Sequence, residues 1–375
     1  MRKDWIIKQE MMDKRELDIL TTMLDKSIIV SGCAGSGKSL LAVMLAKRIE
    51  QEKEGSRQIV VYTKALEHFI EEGAKTLELN CNLTHYEHWK WRLVEKWSDE
   101  GHRYFEKEEY CPHADYFIVD EIQDFPKNQV QEFMRCADKH FFFFGDTAQT
   151  LYKTHNPLPV SDLKNNIVPQ GRPFKEYSLY YNYRLPVHIA EAAQYVGENL
   201  ETFEPEKYRS LEKTYPRIVR FKDKDSQIAE IGNFCKANPT SDIAILVPYK
   251  LDVINIYNQL KSIGVNCEIK YDQPDNTNGH FPSSVDTLDM STFNPKIMTY
   301  HSAKGLQFEN VFIPWVSESD KKSFLSTHRT ALYVAMTRTY RNLFIMHTGT
   351  FLPYPLAFIP KEKYLTTMTD TVKDK

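Results

Sequence analysis

Eight residues, Gly32-Cys33-Ala34-Gly35-Ser36-Gly37-Lys38-Ser39, put a lysine and a hydroxyl directly behind a glycine-rich turn. Gly32, Gly37, Lys38 and Ser39 fill every fixed position of G-x-x-x-x-G-K-[ST]. A triphosphate is a dense anion, and backbone N–H groups must reach it from several sides. Glycines such as Gly35 let the loop wrap closely, while a following helix turns its positive end toward the phosphates. Lys38 suits the β- and γ-phosphates, and Ser39 suits a Mg²⁺ ion. A second cluster, Asp120-Glu121-Ile122-Gln123-Asp124, follows the apolar run Tyr116–Val119. An acidic pair at the end of a buried strand can bring a metal ligand, Asp120, and a water-activating base, Glu121. The two clusters together point to triphosphate hydrolysis. Phosphate transfer to another acceptor would not need Glu121.

These residues need a scaffold that holds them at one edge. Ser27–Val30 precedes the glycine loop, and the helix-forming run Leu40–Ala46 follows it. Short apolar runs recur between helical stretches at Ile59–Tyr62, Tyr116–Val119 and Phe141–Phe144. A second set comprises Ile218–Phe221, Ile243–Val247, Ile297–Tyr300, Val311–Val316 and Leu343–Met346. The alternation predicts α/β domains built on parallel sheets wrapped by helices. Four consecutive phenylalanines, Phe141–Phe144, fit a central strand buried on both faces. Asn156–Lys175, with four prolines, is expected to cross between domains, and Asp272–Pro295 to form a long loop. The expected division is 1–170, 171–360 and a polar tail over 361–375.

Composition sets bounds on the remainder. The 375 residues suit two domains, and a net charge of −3 gives no global basic field for nucleic acid. Six cysteines without a C-x-x-C pair fit a reducing cytoplasm, and Met-Arg-Lys-Asp-Trp is too polar for a signal peptide. No apolar run approaches membrane-span length. Cys81, His85, His88, Cys111 and His113 match no standard zinc spacing. In His85–Lys107, Trp89, Leu93 and Trp97 recur every fourth residue, which predicts the buried stripe of an amphipathic helix. Trp91 and Arg92 lie off that stripe and are the better candidates for binding a nucleic acid.

Asp-Glu-x-Gln-Asp resembles motif II of the superfamily 1 helicases of the UvrD/Rep type, and further motifs follow in that family's order. Gly145–Tyr152 is similar to motif III, Leu179–Arg184 to motif IV, Thr299–Phe308 to motif V, and Leu332–Arg338 to motif VI. Val60–Ala65 is a looser match to motif Ia. The resemblance spans roughly residues 28 to 346. It implies two tandem RecA-like P-loop domains that hydrolyse Mg²⁺-ATP between them and move 3′ to 5′ along single-stranded DNA, with RNA as the alternative strand. By the same resemblance Gln149 senses the γ-phosphate, Arg184 and Arg338 act as arginine fingers, Tyr183 stacks on adenine and Gln307 meets the ribose. Tyr62, Thr63, Thr299 and His301 would contact the strand.

The chain also departs from that family. Only residues 66–115 and 251–296 stand where large accessory insertions usually lie. Thr154 replaces a base-stacking aromatic, Gln307 replaces a glutamate, and Arg15 or Glu16 falls where an adenine-reading glutamine is usual. These departures bear on unwinding and leave hydrolysis untouched. A nucleic-acid-sensing ATPase that licenses a partner such as a nuclease therefore stands beside the helicase reading. A P-loop kinase or GTPase would have no use for Gln149, Arg184 and Arg338.

Overall fold

The computed structural model describes residues 11–100, 102–146, 163, 173–197, 200, 202–271, 285–316, 326–354, 356–364, 366 and 368–372. Gln149, Thr154, and most of the expected crossing and long loop lie outside them. The chain divides into two compact units, one spanning Asp4–Tyr180 and the other Tyr181–Lys375.

The first unit holds a six-stranded parallel sheet in the order β3-β2-β6-β7-β1-β8. Its strands are β1 (Ser27–Gly32), β2 (Arg57–Val61), β3 (Asn82–His85), β6 (Ala114–Val119), β7 (Ala137–Gly145) and β8 (Phe174–Leu179). Phe142, Phe143 and Phe144 are fully buried, as expected of a strand covered on both faces. Helices α1 (Lys14–Leu20), α2 (Lys38–Gln51), α3 (Lys64–Thr76) and α5 (Lys127–Cys136) accompany the sheet. Trp89, Phe117, Phe125 and Phe133 form one aromatic cluster of its core. β8 runs parallel to β1, pairing Ser27 with Phe174 and Gly32 with Leu179. The first unit therefore extends beyond the expected boundary at 170/171, because the strand after the proline-rich stretch returns to the first sheet.

The second unit carries an eight-stranded sheet, parallel except at one edge pair. Its order is β12-β11-β13-β10-β14-β15-β9-β16. The central strands are β9 (Arg217–Arg220), β10 (Ile243–Val247), β13 (Lys296–Thr299), β14 (Phe308–Val316) and β15 (Thr339–His347). β11 (Glu268–Tyr271) pairs antiparallel with β12 (Val285–Asp286) at one edge. α6 (Val187–Val196), α7 (Lys224–Ala237), α8 (Lys250–Ser262) and α9 (Ser326–Met336) complete the alternation. The fold is thus α/β, two RecA-like units in tandem. The expected polar tail is partly built into the sheet. After α10 (Lys361–Tyr364), β16 (Met368–Asp370) pairs with β9, and Arg220 reaches the Asp370 carboxylate at 2.7 Å.

One expectation is overturned. The stretch read as a helix with a Trp89–Leu93–Trp97 stripe is α4 (Tyr86–Lys90) followed by a β-ribbon, β4 (Trp91–Trp97) against β5 (Arg103–Glu109). Trp89 is buried and donates its indole N–H to the Pro112 carbonyl at 3.1 Å. Leu93 and Trp97 are 67% and 65% exposed. The sequence Trp-Arg-Leu-Val-Glu-Lys-Trp alternates with period two as well as four. Cross-strand ion pairs decide for the strand: Arg103 with Glu95 at 3.0 Å, and Lys96 with Glu106 at 2.5 Å and with Glu108 at 3.0 Å. Lys90 roots the ribbon through Glu109 and Glu132, at 2.5 and 2.7 Å. Trp91 and Arg92 sit at its base, with Arg92 facing Glu108 at 3.7 Å.

Candidate functional site

The phosphate loop forms as its composition requires. Gly35 and Gly37 take positive φ of 74° and 86°, and α2 starts directly after Gly37. A Cβ on Gly37 would lie 2.7 Å from Glu16 Oε1, and one on Gly32 would lie 2.5 Å from Ser36 Oγ and 2.9 Å from Leu179 Cβ. These are places where only hydrogen fits. Lys38 is buried and its Nζ donates to the carbonyls of Gly32 and Cys33, each at 2.9 Å, so the cation closes the loop it serves. Of the two residues near the place of an adenine-reading glutamine, Glu16 is buried on α1 beside Gly37. Arg15 lies over the Tyr180 ring, 5.5 Å from its centre.

The neighbouring strand β6 delivers the acidic pair. Ser39 Oγ donates to Asp120 Oδ2 at 2.5 Å, which joins the two sequence clusters across 81 residues. Asp120 is fully buried, and burial, with the Glu121 charge beside it, pushes its carboxyl up to about 6 against the pull of Ser39 and Lys38. Glu121 stands in the left-handed region at φ 55° and ψ 42°, a conformation unfavourable for a residue with a side chain. Its N–H donates to Asp120 Oδ1 at 3.0 Å. Gln123, fully buried, was not singled out from sequence. Its amide N–H donates to Glu121 Oε2, and its carbonyl oxygen accepts from the Asp146 N–H at 2.9 Å. It thereby ties the acidic pair to the end of β7. Its sequence signal was its place in the Asp-Glu-x-Gln-Asp pattern.

The expected strand contacts of the first unit are engaged locally. Thr63 caps α3, its hydroxyl accepting from the Leu66 N–H at 3.2 Å. The Tyr62 ring meets the Phe125 edge with centroids 5.1 Å apart, and burial pushes its phenol up to about 12. It is packed into the core margin rather than presented as a flat stacking platform.

In the second unit, Asn182 is buried and its Oδ1 accepts from the N–H groups of Arg184 and Leu185 at 3.0 and 2.8 Å. That turn sets the start of the Arg184 side chain, whose Nη2 donates to the Thr337 carbonyl at 3.3 Å. Arg338 is 1% exposed, with Nε donating to the Val334 carbonyl at 2.8 Å and Nη2 to Thr337 Oγ1 at 2.9 Å. The arginine of motif VI is therefore a buried guanidinium, not a surface side chain. Tyr183 is 37% exposed and lies edge-on to Tyr181 at 6.1 Å. Thr299 is buried and shares a 3.0 Å hydroxyl contact with Ser302 in the turn after β13, while His301 and Gln307 are half-buried on the same loop.

Residues 16–155 match the AAA domain family, and residues 296–346 match the UvrD-like helicase C-terminal domain family. No curated protein matches the chain. Among solved structures it is similar to the C-terminal domain of a possible DNA helicase from Lactobacillus plantarum WCFS1. Identity there is 17%, coverage 51% of this chain and 99% of that one, and the TM-score 0.34. It is also similar to Arterivirus nonstructural protein 10 (helicase) in complex with DNA. Identity there is 14%, coverage 92% of this chain and 65% of that one, and the TM-score 0.40. The two family matches fall one on each unit, on the phosphate loop with its acidic pair and on motifs V and VI. The chain thus resembles the UvrD-like superfamily 1 helicases through these two partial family matches.

Proposed function

We propose that this helicase-family ATPase uses Mg²⁺-ATP to translocate 3′ to 5′ on single-stranded DNA. The observation that carries the reading is the Ser39–Asp120 contact with Glu121 held beside it. A hydroxyl and a carboxylate 2.5 Å apart are hard oxygen donors that fit Mg²⁺, an ion that keeps several waters and takes few protein ligands. Ser39 and Asp120 would hold the ion, which would supply positive charge against the negative charge that develops during hydrolysis.

The protein groups supply the rest. Lys38 exchanges the loop carbonyls for phosphate oxygens, and the α2 N-terminus adds its partial positive charge. Glu121 orients a water and accepts its proton, with Gln123 fixing the carboxylate's direction. Gln149 reads the γ-phosphate, Arg184 and Arg338 meet the charge on the transferring group, Tyr183 stacks on the base and Gln307 binds the ribose. Thr63, Thr299 and His301 are proposed to hold DNA phosphates, and Tyr62 to border that path.

The test is ATP turnover with and without single-stranded DNA, with Lys38→Ala as blank, together with displacement of a 3′-tailed duplex. Stimulation with displacement supports a helicase. Stimulation without displacement supports the second reading, an ATPase that senses a strand and licenses a partner such as a nuclease. The compact segment between motifs Ia and II favours that second reading, because it folds as α3, β3, α4 and a two-stranded ribbon. Steady turnover indifferent to any nucleic acid would overturn both.

A further inference from the structure

Among the described residues, one cluster apart from the phosphate loop has the composition of a metal site. Glu67 lies in the first turn of α3, His85 ends β3, and His88 follows three residues later on α4. Glu67 and His85 are buried, and His88 is exposed. Glu67 Oε2 stands 2.5 Å from His85 Nδ1, and the two imidazole rings lie 4.0 Å apart at a tilt of 50°. One ligand atom from each of the three residues lies within 4.8 Å of the other two. Of the five cysteines and histidines weighed from sequence, His113 instead pairs with Asp138 at 2.9 Å and Cys111 with Glu109 at 3.5 Å. Glu67, 18 residues from His85, was not in that set.

We propose that Glu67, His85 and His88 form a site for a transition-metal ion of the zinc class, which fastens the first turn of α3 to the start of α4. Two imidazoles and one carboxylate are a donor set for Zn²⁺ or a similar borderline ion, and not for Mg²⁺ or Ca²⁺, which take oxygen. Bond lengths near 2.0–2.2 Å place such ligands roughly 3.5 Å apart in a tetrahedron. The three groups therefore need only small movements, the short Glu67–His85 contact opening and His88 closing. The electrostatics agree with this. Burial raises the Glu67 carboxyl, but the hydrogen bond and charge of His85 outweigh it and keep the group below its ordinary value. Burial and the neighbouring His85 keep His88 below its ordinary value, which favours the neutral, ligating ring. The exposed edge of His88 leaves a side from which the ion enters and on which water completes the shell. A plain buried ion pair accounts for Glu67 and His85 alone. It gives no reason for a second imidazole tilted against the first at 4.0 Å.

The experiment uses the untagged full chain, stripped of metal with EDTA and free of nucleotide, compared with His88→Ala and Glu67→Gln. His88 is exposed, so its replacement leaves the fold intact, as far-UV circular dichroism checks. Co²⁺ absorption and Zn²⁺ calorimetry should show one ion bound by the wild type that His88→Ala binds roughly 100-fold more weakly. Glu67→Gln should weaken the same ion. Zn²⁺ should raise the wild-type Tm and leave that of His88→Ala unmoved. An ion taken by Ser39 and Asp120 is common to all three proteins and cancels in the comparison. Equal stoichiometry and affinity in wild type and His88→Ala would overturn the site. So would a cobalt spectrum dominated by sulfur charge transfer, which would put the ion on a cysteine.

Discussion

Arg184 and Arg338 converge on one residue, with the Arg184 guanidinium on the Thr337 carbonyl at 3.3 Å and that of Arg338 on the Thr337 hydroxyl at 2.9 Å. The two arginines are far apart in sequence, yet a single threonine holds one guanidinium nitrogen of each. Arg338→Ala should lower kcat by about 10³-fold, the scale of a lost arginine finger, with ATP affinity largely kept. Thr337→Val keeps the shape and removes one hydrogen bond to a charge, which predicts a kcat loss of about 10- to 100-fold. Steady-state ATPase assays with nucleotide-binding measurements separate the two. An unchanged kcat in Arg338→Ala would remove that residue from the chemistry.

Gln123→Ala should act on both stability and turnover. It strips Glu121 of a donor and leaves the buried Asp146 N–H without its 2.9 Å acceptor. The expected costs are about 1–3 kcal/mol of unfolding free energy and about tenfold in kcat. Urea denaturation and single-turnover hydrolysis read the two effects independently.

Gly37→Ala should abolish ATP binding while the protein remains folded. The left-handed φ of 86° costs an alanine roughly 1–2 kcal/mol, and the new Cβ must also displace Glu16 Oε1 from 2.7 Å. Shortening Glu16 to Asp alongside it should not restore binding, because the φ remains. Fluorescent-nucleotide titration decides it.

Trp89 and Trp97 should respond in opposite ways despite their sequence spacing. Trp89→Ala opens a cavity among Phe117, Phe133 and Tyr86 and should cost about 3–5 kcal/mol. Trp97→Ala, at the exposed end of the ribbon, should change stability by less than about 0.5 kcal/mol. Equal losses would restore the helical reading of that segment.

His347 supplies a pH dependence. Burial, aided by the Arg220 charge, holds its imidazole below the ordinary 6.5, against the Gly349 backbone and Asp370. The folded state thus binds this proton less well than the unfolded state. Its contribution is fully present above 6.5 and is lost as pH falls through the lower folded value. His347→Phe should flatten the acid side of the stability profile, measured by denaturant midpoints between about pH 8 and pH 5.

Much of this was legible in the chain because buried parallel strands leave continuous apolar runs. Ile28–Val30, Ile59–Val61, Phe141–Phe144 and Ile243–Val247 all lie inside observed strands. The phosphate loop and its acidic partner were legible because their backbone requirements restrict residue type. Other features left no such mark. β8 follows a proline-rich stretch and reads Phe-Lys-Glu-Tyr-Ser-Leu, an edge strand whose half-exposed pattern resembles a connection. The ribbon was misread because Trp89, Leu93 and Trp97 satisfy a helical period while ion pairs from a strand beyond them fix the alternative. Gln123 and Thr337 were passed over because a polar residue that positions another gains its role only from tertiary neighbours.

The left-handed backbone of Glu121 has a consequence for laboratory evolution. Glycine or asparagine would relieve that φ of 55°, so Glu121→Gly and Glu121→Asn offer relief of about 1 kcal/mol of local strain. A library selected for thermal tolerance alone would drift toward them and lose hydrolysis. The same position would survive unaltered in a library selected for turnover. Sequencing the two pools at codon 121 would thus separate what the fold prefers from what the reaction demands.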